Sequence, residues 1–349
     1  MEHYIGIDVS KATLDLALIN ASGQLLAMVQ TENSTKGLVR SWRRWSKEFD
    51  LVKDKCLICL EPTAHYSDQP LIALVELEIP TWLANASDMV RSLGMRRGKN
   101  DQLDAQRIAD YARRFHDKAR RFTRDHLRLR TLKKLLSRRR LLVDRRKAHQ
   151  VLLKDYNPLM PAELRRTMDR LDKAMLRAYD KAIVEVEAMI LVEIQRDPEL
   201  QRQYELVLSV ESVGPILAAH LLALTDGFAR FGSARQLACH AGVAPYEFRS
   251  GSSIRGKTRV SSFAHRQLKT LLHMSAVSSI SRSGELRAFY DRKVAEGKGA
   301  MSVLNAIRNK IIHRVYAVLA RGTPYTKKTL ANAIECGGAG CAASKGGWG

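Results

Sequence analysis

Hydrophobic and polar residues alternate from the start of the chain. In Tyr4-Ile5-Gly6-Ile7-Asp8-Val9 the apolar Ile5, Ile7 and Val9 share one face and Gly6 and Asp8 the other, as a half-buried strand requires. The pattern continues over residues 13–19 and 25–29. Polar turns around Ser10-Lys11 and Asn20-Ala21-Ser22-Gly23 separate the segments, so the opening predicts a three-stranded meander. Helical spacing takes over at 35–49. The run Cys56-Leu57-Ile58-Cys59-Leu60-Glu61 then reads as a buried strand stopped by Pro62, followed by a helix over 67–77, a strand over 81–84 and a further helix. A meander followed by alternating helix and strand predicts an α/β unit with a mixed sheet covered by helices.

Beyond residue 118 the pattern becomes helical. Residues 119–150 hold thirteen Lys and Arg against two acids, without Pro or Gly, and Leu129, Leu132, Leu136 and Leu142 recur at helical spacing. Pro158 and Pro161 break this basic helix, and a second one is predicted over 162–196, making a helical hairpin. Residues 201–330 predict a compact all-α unit interrupted by a polar loop over 248–260. Within it, residues 210–222 look like a helix-hairpin-helix, with Ser212 where the usual turn carries glycine. The Gly- and Ala-rich end predicts a disordered tail. The expected organisation is therefore 1–118, 119–200, 201–330 and a tail over 331–349.

Charge narrows the partners. The 349 residues include 58 Lys and Arg against 36 Asp and Glu, a formal net charge of +22. So large an excess repels itself in the compact state and points to a polyanion, DNA or RNA. The one-signed excess on the first hairpin helix suggests that Arg138, Arg139, Arg140, Arg145, Arg146 and Lys147 track a phosphate backbone. The chain has no apolar run long enough for a transmembrane helix, and the opening strand gives no signal-peptide pattern, so a cytoplasmic protein, nucleoid-associated when acting, is expected. Five cysteines at irregular spacing make no disulfide framework, and the lone Cys56/Cys59 pair reads as two buried strand thiols before a zinc site.

The candidate chemistry begins with acids in apolar surroundings. Asp8 sits late in the first strand and Glu61 ends the buried strand, where an unpaired charge is expensive. Asp101 and Asp104 are three apart, so on a helix they share the face continued by Ile108, Ala112 and Phe115, which turns them toward the sheet. Each acid alone has a structural alternative. Asp101 can cap its helix, Asp8 can accept backbone bonds, and Glu61 can pair with an arginine. Together, four carboxylates at one sheet edge would repel unless cations intervene, and an all-oxygen donor set suits Mg²⁺ or Mn²⁺. An actin-like ATPase also opens on a strand-borne aspartate. It would need Gly-rich phosphate loops that are absent here, so no nucleotide cofactor is expected.

A second constellation is the segment from Pro245 to Arg259. Ser250, Ser252 and Ser253 stand among Gly251 and Gly256 and the cations Arg249, Arg255, Lys257 and Arg259. Glycines allow backbone to approach a phosphate and the cations hold it. Read alone, this is a phosphate-contacting turn or a serine nucleophile, and no His or Asp adjoins the serine to take its proton.

Taken together, these residues resemble a known family: the insertion-sequence transposases with an N-terminal DEDD domain and a C-terminal serine, bridge-RNA-guided recombinases related to the Piv-like DNA invertases. The resemblance runs from about Tyr4 to Tyr325. It is carried by Tyr4-Ile-Gly-Ile-Asp8, Leu60-Glu61-Pro-Thr-Ala-His-Tyr66, Lys99-Asn-Asp101-Gln-Leu-Asp104-Ala105 and Ser250-Gly-Ser-Ser-Ile-Arg-Gly256. The chain departs at Asn100, where threonine is common, and at Ser261-Ser262-Phe263-Ala264-His265.

The resemblance implies a RuvC-like, ribonuclease-H-type domain whose Asp8, Glu61, Asp101 and Asp104 hold Mg²⁺. It further implies a coiled coil, a helical transposase domain with Ser250 as nucleophile, a phosphoserine link to DNA, a non-coding guide RNA, and dimers or tetramers as the active assembly. Two rivals use the same residues differently. A hydrolytic RuvC-type Holliday-junction nuclease would use water in place of Ser250, and a non-catalytic RNA- or DNA-binding protein would use the acids structurally.

Overall fold

The computed structural model describes residues 1–63, 65–85, 88, 89, 92, 101–153, 160–244, 249, 250, 254, 255 and 264–326, with the backbone alone at 101, 102, 249, 250, 254 and 255. The chain forms two compact units, Met1–Arg128 and the residues from Leu129 onward.

The first unit is built on a five-stranded mixed sheet. Strands β1 (His3–Val9), β2 (Thr13–Asn20) and β3 (Leu25–Glu32) form the antiparallel meander, and β4 (Cys56–Leu60) and β5 (Thr81–Leu83) add in parallel, giving the order β3-β2-β1-β4-β5. The turns close on their own side chains. Thr13 N–H donates to Ser10 Oγ at 3.0 Å, and Asn20 Oδ1 accepts from the N–H groups of Ser22 and Gln24.

Alternation along the strands sorts the side chains into two cores. Ile5, Ile7, Val9, Leu14, Leu16, Leu18, Ile58 and Leu60 pack with Leu38, Trp42 and Trp45 of α1 (Thr35–Glu48) and Leu71 and Leu74 of α2 (Asp68–Glu76). The spacing of the three α1 residues puts them on one helical stripe, and Ser34 caps that helix by accepting from Gly37 N–H. On the opposite face Tyr4, Ile19, Leu57 and Cys59 pack with Ile108, Ala109, Tyr111 and Ala112 of α3 (Asp101–Arg114). Cys56 and Cys59 fall in different cores, so strand geometry alone keeps the two thiols from sharing a metal. Burial pushes the Cys56 thiol up to about 12 and raises that of Cys59 as well.

Helix α3 lies on β1 at backbone contact. A Cβ at Gly6 would stand 2.0 Å from the Ala105 carbonyl oxygen and 2.4 Å from the Ala109 nitrogen. Ala105, Ala109 and Ala112 are completely buried at this seam. Small residues on both sides set the helix as close to the strand as backbone allows.

The second unit is helical. Helices α4 (Arg124–Leu152) and α5 (Ala162–Gln195) run antiparallel over their residues in this unit, tied by Arg139 Nε to Glu187 Oε1 at 2.6 Å, by Arg146 to Asp180, and by His149 beside Asp172. Leu129, Leu132 and Leu136 share one core with Ile190 and Ile194 of α5. The same core takes in residues of α6 (Pro198–Ser209), α7 (Pro215–Thr225), α8 (Ala234–His240), α9 (Arg266–Ile280), α10 (Glu285–Ala295) and α11 (Ala300–Arg321). Ser212, between α6 and α7, adopts φ +66°, the left-handed conformation that favours the glycine usual at this turn position, and Ser275 Oγ donates to its carbonyl at 2.6 Å.

Instead of an irregular loop, β6 (Arg249–Ser250) and β7 (Ile254–Arg255) form a short antiparallel ladder, with Ser250 opposite Ile254. A two-residue ladder is too short to leave a hydrophobic period in the sequence, which is why a loop was expected. The tail over 331–349 lies outside the described residues.

The seam at Gly6 gives a direct test. Gly6→Ala is expected to destabilise the protein by about 3 kcal/mol or more, because backbone must move to admit the methyl group. Urea denaturation followed by circular dichroism measures this.

Candidate active site

The acidic centre is positioned by strand register and by the α3 seam. Ile7 of β1 pairs with Leu60 of β4, so Asp8 and Glu61 are the next residues on two neighbouring parallel strands. Asp8 continues the alternation of Tyr4 and Gly6 and so belongs to the face that α3 covers. Asp104 immediately precedes Ala105, whose carbonyl meets Gly6 two residues before Asp8. Three acids from three separate elements are thus brought to one end of the sheet.

Electrostatics records the convergence. The Glu61 carboxyl is held above its ordinary range by burial first, then by the negative charges of Asp8 and Asp104. Arg107, one turn along α3, reaches Asp104 Oδ1 with its NH1 at 2.6 Å and offsets part of that charge. Asp101 is the first residue of α3, and its side chain lies outside the described residues. Among the described residues no three Asp, Glu, His or Cys side chains close to ligating distance. Those of Asp8, Glu61 and Asp104 still fit a hard divalent cation. The donors are oxygens only, and Glu61 already carries the repulsion a cation would relieve.

Sequence reasoning missed a further acid on this face of the sheet. Asp15 on β2 is the direct register partner of Asp8, is 2% exposed, and accepts from Gln30 Nε2 with both carboxylate oxygens, at 3.1 and 3.2 Å. Adjacent strands place such cross-strand neighbours on one face, so Asp15 adds a buried carboxylate beside the half-buried Asp8. An apolar-polar alternation in Leu14-Asp15-Leu16 was the available signal.

The serine strand belongs to the second unit and is described by itself. Ser250 ends β6, flanked by Arg249 in the same strand and opposite Ile254, with Arg255 next along β7. Ser252, Ser253, Lys257 and Arg259 lie outside the described residues. The feet of this segment are tied together. His265 N–H donates to the His240 carbonyl at 2.9 Å, the two imidazole rings are 5.7 Å apart, and His265 Nδ1 caps α9 by accepting from Leu268 N–H. A histidine fifteen positions after the serine therefore stands at its segment's base, beyond the reach of a local motif search.

The basic helix divides its cations. Arg139 and Arg146 are engaged by Glu187 and Asp180 within the hairpin, Arg140 is exposed but lies 3.6 Å from Asp144 and donates to Gln267, and Arg138, Arg145 and Lys147 are exposed. No helix among the described residues is long and apolar enough to cross a membrane.

Comparison with known proteins follows the same two regions. A model of the DEDD transposases of the IS110 type, described as "Transposase", matches residues 5–158, and one described as "Transposase IS116/IS110/IS902 family" matches residues 204–291. The chain is 29% identical over 154 residues to a pilin gene-inverting protein of Moraxella lacunata, covering 44% of this chain and 48% of that protein. It is 34% identical over 161 residues to an insertion element IS900 42 kDa protein of Mycobacterium paratuberculosis, 46% of this chain and 39% of the relative. It is 27% identical over 189 residues to a probable family 20 transposase of Pseudomonas aeruginosa, 52% and 54%. The chain spans about half the length of these relatives, or less.

The acidic centre makes its own prediction. In metal-free buffer Glu61→Gln is expected to melt at a higher temperature than the wild type, because it removes a half-buried charge repelled by Asp8 and Asp104. Added Mn²⁺ should then raise the melting temperature of the wild type more than that of the variant. Differential scanning fluorimetry with and without a chelator reads both shifts.

Proposed function

We propose that the chain, which is similar in two regions to the IS110/IS116/IS902 insertion-element transposases, cuts and rejoins DNA at the ends of such an element. The observation that carries the reading is the meeting of Asp8, Glu61 and Asp104 at one sheet end, in a chain whose other matched region holds a serine flanked by arginines. The strand order, an antiparallel meander extended by two parallel strands, supports a RuvC-like, ribonuclease-H-type domain. The +22 charge supports nucleic-acid partners, the element DNA and a non-coding guide RNA.

In this mechanism Asp8, Glu61, Asp101 and Asp104 would hold Mg²⁺ or Mn²⁺, which when bound would polarise the phosphodiester and favour an ionised oxygen nucleophile. Ser250 Oγ forms a bond to phosphorus as the bond to the 3′ oxygen breaks, leaving a free 3′-hydroxyl and a phosphoserine. After strand exchange a 3′-hydroxyl attacks the phosphoserine and releases Ser250. Bond energy is conserved, so no nucleotide is consumed. Arg249 and Arg255 neighbour the serine in the ladder and offset charge that grows on the phosphoryl oxygens.

Assembly is part of the proposal. On α5 the residues Leu164, Met168, Leu171 and Met175 are 58%, 43%, 52% and 45% exposed and follow a four-three-four spacing. That is the seam of a coiled coil, and a second copy of the chain is its natural cover, giving the dimers and tetramers in which serine and acids from different protomers can work together. On this reading the protein acts in the cytoplasm, associated with the nucleoid.

A covalent-capture assay tests the reading. The protein is incubated with Mg²⁺, the element's flanking non-coding RNA and labelled element-end DNA, then denatured. Label is expected on wild type and absent from Ser250→Ala and Asp8→Asn. Cut DNA without adduct would instead indicate a hydrolytic junction nuclease, and full recombination by Ser250→Ala would remove Ser250 as nucleophile.

A further inference from the structure

Helix α11 buries two arginines in contrasting ways. The Arg314 side chain, 14% exposed, lies 2.8 Å from Glu285 Oε2 and 3.7 Å from Glu211 Oε2, so its charge is met by carboxylates. Arg308 is 5% exposed, and its partners are neutral. Nη2 lies 2.8 Å from His273 Nδ1 on α9 and Nη1 3.5 Å from Asn305 Oδ1, while Nε has no partner among the described residues. A guanidinium stays ionised in proteins, and burying it without an anion costs several kcal/mol. The bland explanation, a structural cation, requires the carboxylate that Arg314 has and that Arg308 lacks among the described residues.

The surroundings show how such a charge can be used. Because Arg308 only donates, His273 Nδ1 must be the acceptor, which leaves its proton on Nε2. His273 is half-buried, and Nε2 has no partner among the described residues. Burial first, and then the Arg308 charge, hold the His273 imidazole below its usual range, which keeps the ring neutral. The ring therefore presents an N–H whose far side is polarised by a buried cation, a charge-assisted donor. Asn305, the other neighbour, donates Nδ2 to the carbonyl of Val243 at 2.8 Å, seven positions before Ser250 in the chain.

We propose that His273 and Arg308 form a phosphodiester-binding site, in which His273 Nε2–H contacts a backbone phosphate and Arg308 acts as the positioning and polarising residue behind it. The site rests on the reading of the chain as a nucleic-acid enzyme but requires neither Ser250 nor the acidic centre. The phosphate supplies the anion that Arg308 lacks.

The test is fluorescence anisotropy of the full chain with labelled duplex DNA and, separately, labelled single-stranded RNA of matched length. His273→Phe and Arg308→Met are each expected to weaken binding of at least one of the two by about tenfold, the loss of one charge-assisted hydrogen bond. The double variant should be no weaker than either single one, since donor and charge act as a unit. Arg308→Lys should retain more affinity than Arg308→Met. A melting temperature for Arg308→Met at or above that of wild type would agree with removal of an uncompensated charge. The nucleic acid whose affinity falls identifies the source of the phosphate. Unchanged binding of both probes by folded His273→Phe and Arg308→Met would overturn the site while leaving the nucleic-acid reading standing. Failure of wild type to bind either probe would overturn both.

Discussion

The close seating of α3 on β1 is the constraint on which the catalytic reading depends. Gly6 has no Cβ, and the alanines facing it are small enough for backbone to rest on backbone. This fixes Asp104 on the helix relative to Asp8 on the strand. A larger residue at Gly6 would lift the helix and move one acid away from the others without altering any of them. Strand register supplies the remaining geometry, by placing Asp8 and Glu61 one residue beyond the pair Ile7 and Leu60.

Gathering acids has an energetic consequence. Glu61 is held above the usual carboxylate range by burial and by its two neighbours, and Asp15 sits buried beside Asp8 with the neutral Gln30 amide as its one side-chain partner among the described residues. A fold organised for stability alone would place salt bridges or apolar residues there. Stored repulsion at one sheet end suits a centre completed by a divalent cation. The second unit repeats the theme with opposite sign, since Arg308 is a buried cation awaiting an anion. Each imbalance matches one component of a phosphoryl-transfer reaction on nucleic acid.

Much of the first unit was legible in the sequence, because alternation with a period of two in β1 and β2 and helical stripes in α1 and α3 are strong local signals. The opposed faces of Asp8 and Ile7 followed from the same alternation. The three-dimensional meeting of Asp8, Glu61 and Asp104 was inferred from their apolar settings and from family resemblance, because register between distant strands leaves no local mark. The roles of Gly6, Asp15 and Arg308 were not legible. Gly6 acts through a helix a hundred residues away, and Asp15 through cross-strand pairing. Arg308 is unusual only for the carboxylate it lacks, and in a chain with 58 Lys and Arg one more arginine draws no notice. The β6–β7 ladder was missed because two residues per strand carry no pattern.

The central claim, that acids from separate elements form one divalent-cation site, is tested most directly by calorimetric titration of the metal-free protein with Mn²⁺. The account predicts saturable binding by wild type that weakens by at least about tenfold in both Asp8→Asn and Asp104→Asn, because each removes a ligand from the same centre. Equal Mn²⁺ affinity in wild type and both variants, with all three folded, would contradict it.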